Sequence, residues 1–262
     1  MTESIAELRR ICLEGKYDES HRQPWASKHI NRRISVYVTR LFLALGVSAN
    51  QATVLGLIAA IAAGGFFTRP APVYWFAGLF LLYLSLILDC VDGEIARYRK
   101  TASPSGAYLD GICTCFSLPY LLACMSFGIY HELHSVGVLA VGFLAVIGMS
   151  VMIAHQPVVQ AISYQQGLTP RAASGAGIRR TPWPQVLRLY AAGRMLLLNR
   201  GLYFIPQLLV ATIVDCFVAP FTLFSFDFNF RFLYLLVLGL AMAASGVVRA
   251  AAVIRHGLQV KL

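Results

Sequence analysis

Asp89, Asp92 and Asp110 are the residues of this 262-residue chain whose type and spacing could do chemistry. The first two stand three apart in Asp89-Cys90-Val91-Asp92-Gly93. Gly93 and Ala96 follow Asp89 by four and seven residues, so all four project from one helix face. Gly106, Asp110 and Thr114 recur every four residues and share a face of the next segment. Three carboxylates from two helices suit a hard divalent cation, Mg2+ or Mn2+, which takes oxygen ligands and completes its shell with waters and substrate phosphates. With Arg97 alongside, phosphoryl chemistry is the economical expectation, the metal neutralising charge that develops on a diphosphate. The bland alternative is that Asp89 and Asp92 end a helix at the lipid headgroups and that Asp110 pairs with Arg97.

The elements that must position these residues are membrane helices. The composition, 58% hydrophobic and 13% charged, is too apolar for a soluble domain, which is nearer 45–50% apolar and about 25% charged. Apolar stretches with no basic residue and at most one aspartate approach or reach the roughly 20 residues that cross a bilayer. They occupy 51–67, 73–88, 105–130, 136–154, 201–221 and 232–248. The expected fold is therefore all-α, an integral membrane bundle of six transmembrane helices with an N-terminal interfacial helix. Residues 1–47 form an expected cytoplasmic segment and 48–262 the membrane domain. The first segment lacks the apolar core and cleavage site of a secretory signal, so its retention is expected. Ser103-Pro104 supplies an N-cap and a proline at the first helical position for the third span.

A net charge of +10 would suggest nucleic acid in a soluble protein, but the placement of the charge excludes that partner here. With the amino terminus inside, 20 of the 22 Lys and Arg residues fall on cytoplasmic segments, leaving Arg69 and Arg231 outside. That asymmetry satisfies the positive-inside rule and returns the carboxyl terminus to the cytoplasm. The expected location is the inner, cytoplasmic membrane, with the acidic site facing the cytoplasm. Before the first span, Ile34, Val38, Leu41 and Leu45 recur at helical spacing among arginines. This helix is expected either to lie on anionic headgroups or to dock on the protein. Residues 156–200 read as the largest cytoplasmic loop, rich in chain breakers from 167 to 184. The six cysteines lack metal-binding or disulfide spacing.

The pattern Asp89-x2-Asp92-Gly93-x2-Ala96-Arg97-x8-Gly106-x3-Asp110 resembles the signature of the CDP-alcohol phosphatidyltransferase family at seven of eight defining positions. Ser48-Ala49-Asn50-Gln51-Ala52-Thr53 is similar to the stretch that opens the family's first span, with Ala49 in place of the usual proline. The resemblance covers roughly residues 30–255. It implies a transferase that displaces CMP from a CDP-linked alcohol, usually CDP-diacylglycerol, with an acceptor alcohol or phosphorylated polyol as nucleophile. It also implies that Asp89, Asp92 and Asp110 hold the metals, that Gly93, Ala96 and Gly106 let the cytidine diphosphate approach, and that Arg97 lies beside the nucleotide. Family members are usually homodimers.

The family's eighth position is a fourth aspartate, thought to ligate metal and deprotonate the acceptor; this chain has Thr114 there. Threonine is no general base at neutral pH. His155 is a substitute candidate, although a lone histidine at a helix end is more often structural. Alternatively the acceptor arrives ionised, as a phosphate monoester, and is held by Arg194 and Arg200, whose bland role is headgroup anchoring. The remaining option is a CDP-lipid-binding protein that has lost most turnover. A cation channel or transporter is disfavoured, because all three acids sit at one membrane edge.

Overall fold

The computed structural model describes residues 4–13, 30–165, 204–218, 220–223 and 226–257. Eight helices and one short hairpin are seen among these: α1 (Ile5–Leu13), α2 (Arg32–Ala44), α3 (Ala49–Phe67), α4 (Pro72–Tyr98), α5 (Pro104–Leu133), α6 (Val136–Gln165), α7 (Phe204–Phe217), β1 (Phe221–Leu223), β2 (Phe226–Phe228) and α8 (Phe230–Gly257).

Four of these, α3 to α6, are long and apolar enough to cross a membrane, and α7 and α8 carry shorter apolar runs. Phe80 and Phe143 are more than two-thirds exposed, a surface suited to hydrocarbon and unsuited to water. The chain is an integral membrane helical bundle.

Local chemistry starts the helices where the site needs them. Ser48 accepts from the Gln51 amide while the Gln51 side chain accepts from the Ser48 amide, a reciprocal cap that opens α3. Ser103 accepts from the Gly106 amide and Pro104 occupies the first turn of α5, as the sequence predicts. Helix α4 starts at Pro72 and continues through the acidic motif to Tyr98 without a break, ten residues past the expected span. Nothing between Asp89 and Tyr98 breaks a helix, apart from a single tolerated glycine.

Two other boundaries differ from expectation. Helix α6 runs on to Gln165, so the first ten residues of the expected 156–200 loop have helical backbone. The apolar Val158, Val159, Ala161 and Ile162 continue its pattern, and the breakers cluster only from Gly167. Helix α7 stops at Phe217 rather than 221, because Pro220 cannot continue a helix. The chain beyond it forms an antiparallel hairpin, Phe221 opposite Phe228 and Leu223 opposite Phe226.

The main core lies among α3 to α8 around Phe67, Trp75, Leu122, Ile129, Leu208 and Met242. Helices α3 and α5 approach closely at Gly128, where a side chain would run into the Phe67 carbonyl oxygen. A second, smaller core of Leu8, Cys12, Val36, Leu43, Ala52, Val91 and Ile95 joins α1 and α2 to the motif end of α4.

At the opposite end of the bundle, Arg231 is fully buried. Its Nε donates to Asp215 at 2.7 Å, Nη2 to Glu132 at 2.6 Å and Nη1 to the Pro70 carbonyl at 3.0 Å. The guanidinium also lies 4.7 Å from the Trp75 ring centre. Asp215 accepts from the amides of Phe230 and Arg231 and so caps α8.

Candidate active site

Helices α3, α4 and α5 enclose a cavity of about 50 Å3 lined by Thr53, Ser85, Asp89, Asp92, Asp110, Cys113, Thr114 and Ser117. The three carboxylates singled out by spacing are thus brought to one cavity, together with Thr114. Asp92 is buried and Asp89 exposed, while Asp110 and Thr114 are half-buried. Its volume admits on the order of a few water-sized species, which suits ions rather than a nucleotide.

First-span residues complete the site. The Thr53 hydroxyl lies 2.6 Å from Asp92 Oδ2 and 3.2 Å from the Ala49 carbonyl, so its single proton has two acceptors in reach. Ser85 donates to the Gly56 carbonyl at 2.8 Å, which brings α3 and α4 together at the cavity wall. Gly106 faces Asn50, whose Oδ1 would be 3.4 Å from any Cβ placed there.

Arg97 takes no part in an ion pair with Asp110, since the ion pairs among the described residues are those of Arg231. Instead its Nε donates to the main-chain carbonyl of Cys12 at 2.6 Å. Its guanidinium folds over Gly93, where an added Cβ would be 3.1 Å from Nη1. Ala96 is half-buried one turn beyond Asp92 on the same helix. His155 falls within α6, and its side chain is outside the described residues. Arg194 and Arg200 also lie outside them.

By helical spacing Glu94 should point away from Asp89 and Asp92. It does, into the α2 contact, where it is buried. Its two carboxylate oxygens accept from Ser35 and Thr39, each at 2.6 Å. Ser35 and Thr39 stand four apart on one face of α2, a signal present in the sequence. The exposed face of α2 carries Ile34, Tyr37, Leu41 and Leu45. Burial and the neighbouring Glu94 push the Cys12 thiol up to about 11, an effect partly offset by Arg97.

Sequence reasoning missed Thr53, although it ends the stretch at 48–53 that carries part of the resemblance. Cys113 and Ser117 were also missed, and only their position one and two turns from Asp110 hints at them.

The family model for CDP-alcohol phosphatidyltransferases matches residues 46–224, more than half of the chain. The chain belongs to that family. Among curated relatives, a bifunctional IPC transferase and DIPP synthase of Thermococcus kodakarensis is 35% identical over 41% of this chain and 24% of its own length. A phosphatidylinositol phosphate synthase of Mycobacterium bovis is 31% identical over 34% of this chain and 41% of its length. An archaetidylinositol phosphate synthase of Aeropyrum pernix is 37% identical over 30% and 39%. The matches therefore span a quarter to two-fifths of these relatives. The crystal structure of Mycobacterium tuberculosis phosphatidylinositol phosphate synthase with CDP-DAG bound shares the fold, with a TM-score of 0.58 and 19% identity over 84% of this chain and 94% of that one. The same enzyme in complex with manganese and citrate gives 0.55 at 18% identity, over 84% and 88%.

Proposed function

We propose that this protein transfers a phosphoalcohol group from a CDP-alcohol, such as CDP-diacylglycerol, to an acceptor alcohol or phosphorylated polyol, with release of CMP. The observation that carries this is the convergence of Asp89, Asp92 and Asp110 on one small cavity in a member of this family. The names of its relatives put phosphorylated inositol first among acceptors to test.

The donor set fits a hard divalent ion in kind, since Asp89, Asp92, Asp110, Thr53 and Thr114 bring carboxylate and hydroxyl oxygens to the cavity, beside the single thiol of Cys113. Among the described residues no three His, Cys, Asp or Glu side chains are gathered at ligating distance. A hard ion of this kind completes its shell with water and phosphate oxygens. Asp89, Asp92 and Asp110 would hold Mg2+ or Mn2+, which supplies charge neutralisation on the diphosphate.

In the reaction the acceptor oxygen attacks the phosphorus attached to the donor's alcohol. A new P–O bond forms, the bridging P–O bond breaks, and CMP leaves with the bridging oxygen. Thr53 orients Asp92 for its part in this site. Gly93, Ala96 and Gly106 leave space for the cytidine diphosphate, and Arg97 lies beside it. The acceptor proton passes to His155, or the acceptor enters already ionised and is held by Arg194 and Arg200. Site and both termini face the cytoplasm, in the inner membrane, and the working form is a homodimer.

Thr114 supports a second reading, a CDP-lipid-binding protein with little turnover. The two separate in one assay: purified protein in lipid vesicles with Mg2+ or Mn2+, CDP-diacylglycerol and a panel of alcohols and phosphorylated polyols. CMP release with one acceptor is expected. Binding of the donor without CMP release from any acceptor would establish the second reading instead.

A further inference from the structure

We infer that the amino-terminal helix α1 is a positioning element of the donor site, acting through the main-chain carbonyl of Cys12 on Arg97. The inference rests on the proposed place of Arg97 beside the donor's diphosphate and goes beyond it.

Arg97 reaches across the bundle edge to a carbonyl 85 residues earlier, at 2.6 Å. A guanidinium is a rigid planar fork, so fixing Nε fixes the directions of both terminal nitrogens. Here those nitrogens are laid across Gly93, with Nη1 and Nη2 at 3.1 and 3.5 Å from where a Cβ would stand. Without the carbonyl, a long arginine side chain has many rotamers, and holding it in one on donor binding would cost side-chain entropy.

The acceptor itself is held. Cys12 is fully buried, and its thiol contacts the Glu94 carbonyl at 3.7 Å. Leu8, one turn before it, is buried in the same small core as Val91 and Ile95 of α4. Glu94 in turn anchors α2 through Ser35 and Thr39. Carbonyl and guanidinium are therefore fixed from both sides of the contact.

The test measures donor KM and kcat with CDP-diacylglycerol for a chain lacking residues 2–13 and for full-length Leu8→Asp, which expels α1 from its core. Both should raise donor KM roughly tenfold, as expected for losing a hydrogen bond to a charged group, with kcat within about twofold. Neither change should add to the effect of Arg97→Ala, because α1 acts through Arg97. An unchanged KM, or a full additional loss in the Arg97→Ala background, overturns the inference. If Arg97→Ala alone leaves donor KM unchanged, the place of Arg97 beside the diphosphate fails and the inference falls with it. Should both α1 variants fail to fold, Arg97→Lys decides. Lysine has no Nε donor in a planar fork, so a normal donor KM in that variant also overturns the inference.

Discussion

Thr114 sits in the same cavity as Asp110, one helical turn further along α5. An aspartate there would face the same three carboxylates and the same hydroxyls. Thr114→Asp is therefore expected to raise kcat by about tenfold or more, within the range that a positioned general base contributes; a fall in kcat would show that threonine belongs to a different acceptor geometry. Asp89→Asn and Asp110→Asn should each abolish metal-dependent donor binding, measured by titration with Mn2+ and CDP-diacylglycerol, whereas intact binding would defeat the assignment of the site. Cys12 offers a pH readout. With its thiol pushed up to about 11 by burial, the reactive thiolate is scarce at neutral pH and increases about tenfold per pH unit until pH 11. Alkylation of Cys12 in the folded protein should accordingly be slow at pH 7.5 and rise towards pH 10, as followed by mass spectrometry of the modified peptide. The convergence of the three acids was legible because carboxylates are rare in apolar sequence and helical spacing puts Asp89 and Asp92 on one face of α4, with Asp110 on a face of α5 shared with Gly106 and Thr114. The contact of Arg97 was not, because a main-chain carbonyl belongs to every residue and leaves no mark on the sequence.

At the scale of elements, α2 buries polar residues beside apolar Val36 and Leu43 on its inner face and leaves other apolar residues outside. Its polar Ser35 and Thr39 turn inward to a buried carboxylate, and its apolar Ile34, Leu41 and Leu45 turn outward. That combines the two sequence expectations, docking on the protein and presenting an apolar face, in one helix. Thr39→Val keeps the shape but removes one of the two donors to Glu94. It should cost about 1–3 kcal/mol, visible as earlier thermal unfolding. The spans α3 to α6 were legible from hydropathy, and the start of α5 from Ser103-Pro104. Helix ends were less so. Hydropathy ends the second span at Leu88, whereas the spacing of Asp89, Asp92, Gly93 and Ala96 carries the helix on through the motif, and α4 continues to Tyr98. The partners of Glu94 lie 55 and 59 residues away, beyond any local pattern.

Across the whole molecule the two ends of the bundle differ in kind. The motif end gathers acids around a cavity, while the far end closes on Arg231, which joins α8 to Glu132 of α5, Asp215 of α7 and Pro70 and Trp75 at the start of α4. Arg231→Ala would leave two partly or fully buried carboxylates without their cation. The expected loss is about 3–5 kcal/mol, read as a lowered Tm in detergent, with little change in donor KM because the cavity is at the other end. Charge counting placed Arg231 outside the membrane, but a count of loop charges carries no information on burial, so the clasp itself was not legible.

The same clasp bears on how the chain is made. Trp75, Glu132 and Asp215 all precede Arg231 in the sequence, so during synthesis every partner has left the ribosome before the arginine that needs them. Helix α8 enters a membrane in which its counter-ions already wait, and a fragment beginning at α8, produced alone, would have to insert with its cation unanswered.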